Sequence, residues 1–136
     1  MANKWIQLQT IDGTDNLFPI NRMDLLWTNS SPTSDFSAQT VELDLSDYDA
    51  VLVTFKWGKD SANPSINVVA LVGVGLGIAS SVYNSRVYRE FTPTATGIQF
   101  AAGAYGSSVS ASMATGNGSA VPYQIYGIRS HIVDLT

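Results

Sequence analysis

Apolar side chains in this chain recur every second residue, a period of two and not 3.6, and that constrains its fold more than any other feature. From Gln39 to Leu45, Val41, Leu43 and Leu45 alternate with Thr40, Glu42 and Asp44. Side chains of a strand point alternately to its two faces, so this pattern predicts a half-buried strand. Asp47-Tyr48-Asp49 reads as a turn, and Ala50 to Trp57, rich in β-branched and aromatic residues, as the next strand. Gly58 to Pro64 has the composition of a loop, and Ser65 to Val72 is a strand apolar enough to be covered on both faces. Arg86 to Phe91 sets Val87, Arg89 and Phe91 against Tyr88 and Glu90. Pro93 to Gly97 is a turn leading to a strand at Ile98 to Phe100. Val121 to Asp134 is a long final strand or strand pair interrupted by Gly127, and Trp5 to Gln9 alternates over a shorter span. The best helical candidate, Asn21 to Trp27, is about seven residues long, too short to stand alone, and is read as a strand.

About eight short strands in 136 residues predict an all-β fold, an antiparallel β-sandwich or barrel. A chain of 14.6 kDa hides roughly two thirds of its surface on folding, enough for one core. Residues 1–136 are therefore expected to form a single domain.

Two segments are made of small residues. Gly73-Val74-Gly75-Leu76-Gly77 lacks the spacing of a phosphate cradle and no helical pattern follows it. It is expected to be a strand with one face of bare backbone, which another chain can approach closely. Residues 101 to 120 are all Ala, Gly, Ser, Thr or Asn except Tyr105, Val109 and Met113. Extended structure packed against another sheet or subunit, and a surface loop, both fit that composition.

Composition excludes several chemistries. Without Cys there is no disulfide scaffold, thiolate metal site or Cys nucleophile, and a single His cannot build a multi-His cage. A net charge of -4 and a pI near 4.6 argue against nucleic-acid binding, which needs clustered Lys and Arg. The N-terminus lacks a signal peptide's apolar core. The longest apolar run, Val68 to Ile78, is too short to span a bilayer, so no membrane partner is expected. The chain reads as a soluble protein made in a cytoplasm.

His131 is the only imidazole available as a base, and no Gly-x-Ser-x-Gly elbow accompanies it. An edge histidine on a terminal strand is the better reading, so no catalytic residue, metal ligand or cofactor is assigned. Asp12 to Asn16 and Asp44 to Asp49 lack the twelve-residue calcium loop and suit turn initiation. Aromatic residues remain, since flat rings on a β surface can stack on sugars or anchor an interface. Trp57, at the mouth of the Gly58 to Pro64 loop, and Tyr105, in the small-residue stretch, are the ligand-binding candidates.

Three stretches together resemble a family of phage and prophage structural proteins. They are Ser85-Arg86-Val87-Tyr88-Arg89-Glu90-Phe91-Thr92, then Gly97-Ile98-Gln99-Phe100, then Val121-Pro122-Tyr123-Gln124-Ile125-Tyr126-Gly127-Ile128-Arg129. C-terminal domains of that family carry an Arg-x-Phe segment, a Gly-Ile-x-Phe segment and a closing Pro-Tyr-x-Ile-Tyr-Gly-Ile-Lys/Arg. The element Leu43 to Val53, a strand, a tyrosine turn and a strand, is also similar to theirs. The resemblance covers roughly residues 40 to 130 and brings no assigned site residue. The chain departs from it by running on through Ser130 to Thr136 and by having no long shaft before the module.

The resemblance implies a jelly-roll-like β-sandwich serving as a non-enzymatic virion structural protein, a tail, fibre or head-appendage module. Its expected partners are itself, as a homotrimer, other virion proteins and a host-surface glycan. Only 13% of residues are charged, about half the usual share, which suits a rigid virion assembly. The alternative is a carbohydrate-binding module of a bacterial surface system. A small hydrolase ranks third, for want of a motif.

Overall fold

The structure is a computed structural model that describes the backbone of residues 17–134 and the side chains of residues 22–129. Trp5 to Gln9 and Asp12 to Asn16 lie outside the described residues. The rest is all-β: β1 (Leu17–Thr28), β2 (Gln39–Glu42), β3 (Ala50–Gly58), β4 (Pro64–Leu71), β5 (Gly77–Val82), β6 (Arg86–Thr94), β7 (Gly97–Phe100), β8 (Ala104–Gly106), β9 (Ala114–Thr115) and β10 (Ser119–Asp134). The strands form two antiparallel sheets packed as a sandwich. One runs β1-β10-β3-β4; the other runs β2-β7-β6-β8-β9, with β5 also paired to β6. The first and last strands pair in one sheet, and β2 and β7 pair in the other, so these two pairs enclose the inner strands in a nested wrapping. Within that wrapping, β3–β4 and β5–β6 are hairpins, each confined to one sheet.

The alternation read from sequence is what closes the sandwich. Val51, Val53 and Phe55 of β3 face Val87, Phe91, Ile98 and Phe100 of the second sheet, all buried. Phe100 anchors an aromatic cluster, with ring centroids 5.3 Å from Phe36, 5.9 Å from Phe91 and 6.3 Å from Phe55. Edge-to-face and tilted rings at these separations add to what burial alone contributes.

Several expectations are corrected. Among the described residues ten strands are present where about eight were expected, because β8 and β9 have three and two residues, too few to show a period. The Gln39 to Leu45 strand stops at Glu42. Leu43 and Leu45 nonetheless stay extended, their amides donating to the carbonyls of Thr96 and Ala95. β4 is not covered on both faces: as an edge strand it buries Ala70 and exposes Val69 and Leu71. Pro93 is not in a turn but inside β6, paired with Ile98, and the reversal comes two residues later. Gly127 does not interrupt β10; it pairs with both Asp24 and Val51.

Gly73 to Gly77 forms a turn, not a bare-backbone strand. Gly73 has φ +85°, a conformation side chains rarely adopt, and its amide donates to the Pro93 carbonyl. Gly77 opens β5 directly beneath Phe91, where a Cβ would lie 2.0 Å from the ring. The glycines therefore serve reversal and core packing within this chain.

Candidate functional site

A groove of about 600 Å³ opens at one end of the sandwich, between the β3–β4 loop and the segment that carries β8 and β9. Trp57 reaches it as the last side chain of β3 to pack against the core. Tyr105 reaches it from β8, opposite Val87 and Ala114. The two rings, far apart in sequence, meet edge to face at 6.4 Å and 88°. Tyr105 remains 40% exposed and Trp57 is half-buried, so both present ring surface to the groove.

The walls are held by Lys56 and Arg89, which do not themselves line the opening, and by Ser61, which does. Lys56 is buried, and its ammonium donates to the carbonyls of Pro32 at 2.9 Å and Lys59 at 2.8 Å. That ties the loop after β1 to the loop after β3. The second loop closes on itself through the Ser61 hydroxyl, which accepts from the Gly58 amide at 3.2 Å. The Lys59 amide then donates to the Gly118 carbonyl at 2.8 Å, joining this loop to the far wall.

The floor under Gly116 to Ser119 rests on Arg89. That side chain is completely buried and faces no carboxylate among the described residues; its guanidinium donates to four backbone carbonyls. Nε reaches Ala120 at 2.8 Å, one terminal nitrogen reaches Ala101 at 2.7 Å, and the other reaches Asn117 at 3.2 Å and Ser119 at 3.1 Å. The planar fork of five donors fits this arrangement of acceptors as no other side chain does. Cζ also sits 5.4 Å from the Phe36 ring centroid. Burial lowers the Arg89 pKa to about 10, which leaves it charged at neutral pH. Ala120, whose carbonyl takes the Nε bond, has φ 45°, the only positive φ outside glycine among the described residues. Gly103 lies against the guanidinium, where a Cβ would fall 2.6 Å from its nitrogen.

The polar lining is nearly neutral. The Lys59 ammonium donates to the Asp35 carboxylate at 2.9 Å, and that bond holds Lys59 above its ordinary pKa. Both partners are exposed, so the pair contributes little stability and keeps its oxygens available to a ligand. Asp60, Ser61 and Thr115 complete the rim. Rings flanked by hydroxyl and carboxylate groups can stack on the apolar face of a pyranose and bond its hydroxyls.

Trp57 and Tyr105, chosen independently from sequence, thus line one opening. Asp35, Lys59 and Thr115 were missed. They come from two separate loops and from the two-residue strand β9, and the only signal was the cluster of turn-forming residues around each. The small-residue stretch turns out to build the far wall, its close approaches made inside the chain at Gly103 and Gly116.

His131 lies on β10 opposite Ile20, and its side chain is outside the described residues. Asp44 shapes a turn, its carboxylate accepting from the Ser46 amide at 3.1 Å and hydroxyl at 2.6 Å. Among the described residues no group of three or more His, Asp or Glu side chains could hold a metal ion. Comparison with protein-family models, with curated proteins and with solved structures finds no match.

Proposed function

We propose that the chain is a bacteriophage virion structural protein, a non-enzymatic tail, fibre or appendage module. It assembles as an oligomer, expected to be a homotrimer, and touches a host-surface glycan through the Trp57–Tyr105 groove. The observation that carries the glycan contact is the meeting of these two rings across an open, nearly neutral groove. Buried Lys56 and Arg89 hold its walls, so little ordering is left to offset on binding. The sequence resemblance supports the virion setting.

A glycan array probed with the purified chain tests the contact. Trp57→Ala is expected to weaken binding about tenfold or more, the loss of roughly 1.4 kcal/mol or more of stacking and burial. The far-ultraviolet spectrum should be retained. Equal binding by a folded Trp57→Ala protein would end the assignment of this groove.

The alternative, a carbohydrate-binding module of a bacterial surface system, uses the same groove but needs no self-association. Mass in solution separates them: an oligomer fits the virion module, and a monomer with glycan affinity fits the other.

A further inference from the structure

Part of the solvent face of the β1-β10-β3-β4 sheet is apolar from one edge strand to the other, beside a polar row of Thr28, Gln124, Thr54 and Asn67. In register, Leu25 pairs with Tyr126, Tyr126 with Leu52, and Leu52 with Val69. Two residues along, Met23 pairs with Ile128, Ile128 with Ala50, and Ala50 with Leu71. Directly paired residues share a face, so these eight form two adjacent apolar rows, of which Ala50 is buried and the other seven are exposed or half-buried. The residues between them, such as Val51 and Ala70, point into the core. An antiparallel sheet with one solvated face ordinarily shows polar residues there. The second sheet does so over most of its width: Thr40, Gln99 and Thr92 stand in one row, and Glu90, Tyr88 and Arg86 face outward along β6, with Ile78 and Val82 of the neighbouring β5 the apolar exceptions.

We infer that this face is where a second copy of the same chain docks, an inference resting on the reading of the chain as an assembly module. Three observations choose that occupant. The first is area. Met23, Leu25, Val69 and Leu71 are 45%, 52%, 59% and 55% exposed, and Val74 and Leu76 carry apolar surface round the β4 edge. Six side chains at on the order of 100 Å² each give about 600 Å², the upper end for a monomer's largest patch. With the half-buried Leu52, Tyr126 and Ile128 between them, the face approaches the ~800 Å² each partner contributes to a standard interface.

The second is charge. None of the eight positions carries Asp, Glu, Lys or Arg, so two such faces meet without stranding an ion. The face can therefore meet its own copy across a two-fold axis, an isologous contact that pairs modules and differs from the threefold packing the resemblance implies.

The third is the ladder beyond the sandwich. β3 begins at Ala50, opposite Ile128, yet β1 and β10 continue to pair from Arg22 and Arg129 out to Leu17 and Asp134. Among the described residues no third strand joins that ribbon. A two-stranded ribbon is marginal alone, and a neighbouring copy stacked on the same sheet supplies cover for it.

Light scattering with size exclusion on the full chain tests this, comparing wild type, Leu25→Glu/Val69→Glu and Ser80→Glu. Ser80 lies exposed on the outer face of the other sheet and serves as control. All three substituted side chains already face solvent, and circular dichroism reports folding. The inference expects an oligomeric wild type and control, and a folded Leu25→Glu/Val69→Glu variant reduced to monomer mass. Should that pair prove unfolded, Met23→Lys alone is expected to give the same dissociation. A folded variant that keeps the wild-type mass overturns this interface while leaving the assembly reading intact. A monomeric wild type overturns both, and leaves the face to a partner of another kind.

Discussion

Arg89 shows how one residue can join core, loops and site. Sequence alternation put it on the face of Val87 and Phe91, and it is indeed inward. That placement was legible because strand geometry forces it, whatever the side chain's charge. What satisfies the charge was not legible, since its acceptors are backbone carbonyls from residues 101 to 120, which any sequence supplies. Replacing Arg89 with Met is expected to cost about 3–5 kcal/mol, because it strips four carbonyls of their side-chain donor in a dry site, although that of Asn117 keeps the Phe36 amide. Arg89→Lys should recover only part, since one ammonium cannot span acceptors on both segments. Urea unfolding measures the loss, and an Arg89→Met protein within about 1 kcal/mol of wild type would show that the carbonyls find other donors. The same variant should shift Trp57 fluorescence, as the groove floor loosens.

At the scale of elements, the strands most visible in sequence were those with one wet and one dry face, β3 and β6 above all. The Gly73 to Gly77 turn and edge strand β4 misled for a common reason. Their exposed Val69, Leu71, Val74 and Leu76 give the apolar density of a covered strand without being covered by this chain. Gly127 looked like a break in β10 and is instead a cavity for a neighbouring ring. A Cβ there would lie 2.5 Å from Tyr48, whose turn is closed by its amide donating to the Leu45 carbonyl. Gly127→Ala is therefore expected to lower stability by about 1–3 kcal/mol through overpacking. In Tyr48→Ala the same substitution should cost much less. Thermal unfolding of the double-mutant cycle reads the coupling, and additive losses would show that the ring moves aside freely.

For the whole molecule, the sandwich was legible because alternation over many strands has few other solutions, whereas which strands neighbour which was not. The closing of the open end depends on a contact no pattern announces. The Tyr48 hydroxyl donates to Asp24 at 2.7 Å, Arg22 donates to the same carboxylate at 2.9 Å, and Arg129 stacks over the Tyr48 ring. Turn, β1 and β10 thereby converge on one carboxylate. The Tyr48 bond first, and the Arg22 bond next, hold Asp24 below its ordinary pKa. Ser46 does the same for Asp44. A carboxyl depressed on folding stabilises fully above its unfolded pKa, about 4, and that contribution is lost as pH falls through the folded value. Resistance to urea should accordingly be flat from about pH 5 to 8 and fall below about pH 4. Tyr48→Phe removes the largest cause of the Asp24 shift, so its Asp24 should titrate nearer the ordinary range. Asp24→Asn should start less stable at pH 7 and lose less on acidification, with Asp44 accounting for part of what remains. An Asp24→Asn protein whose stability declines in acid as steeply as wild type would place the acid sensitivity elsewhere.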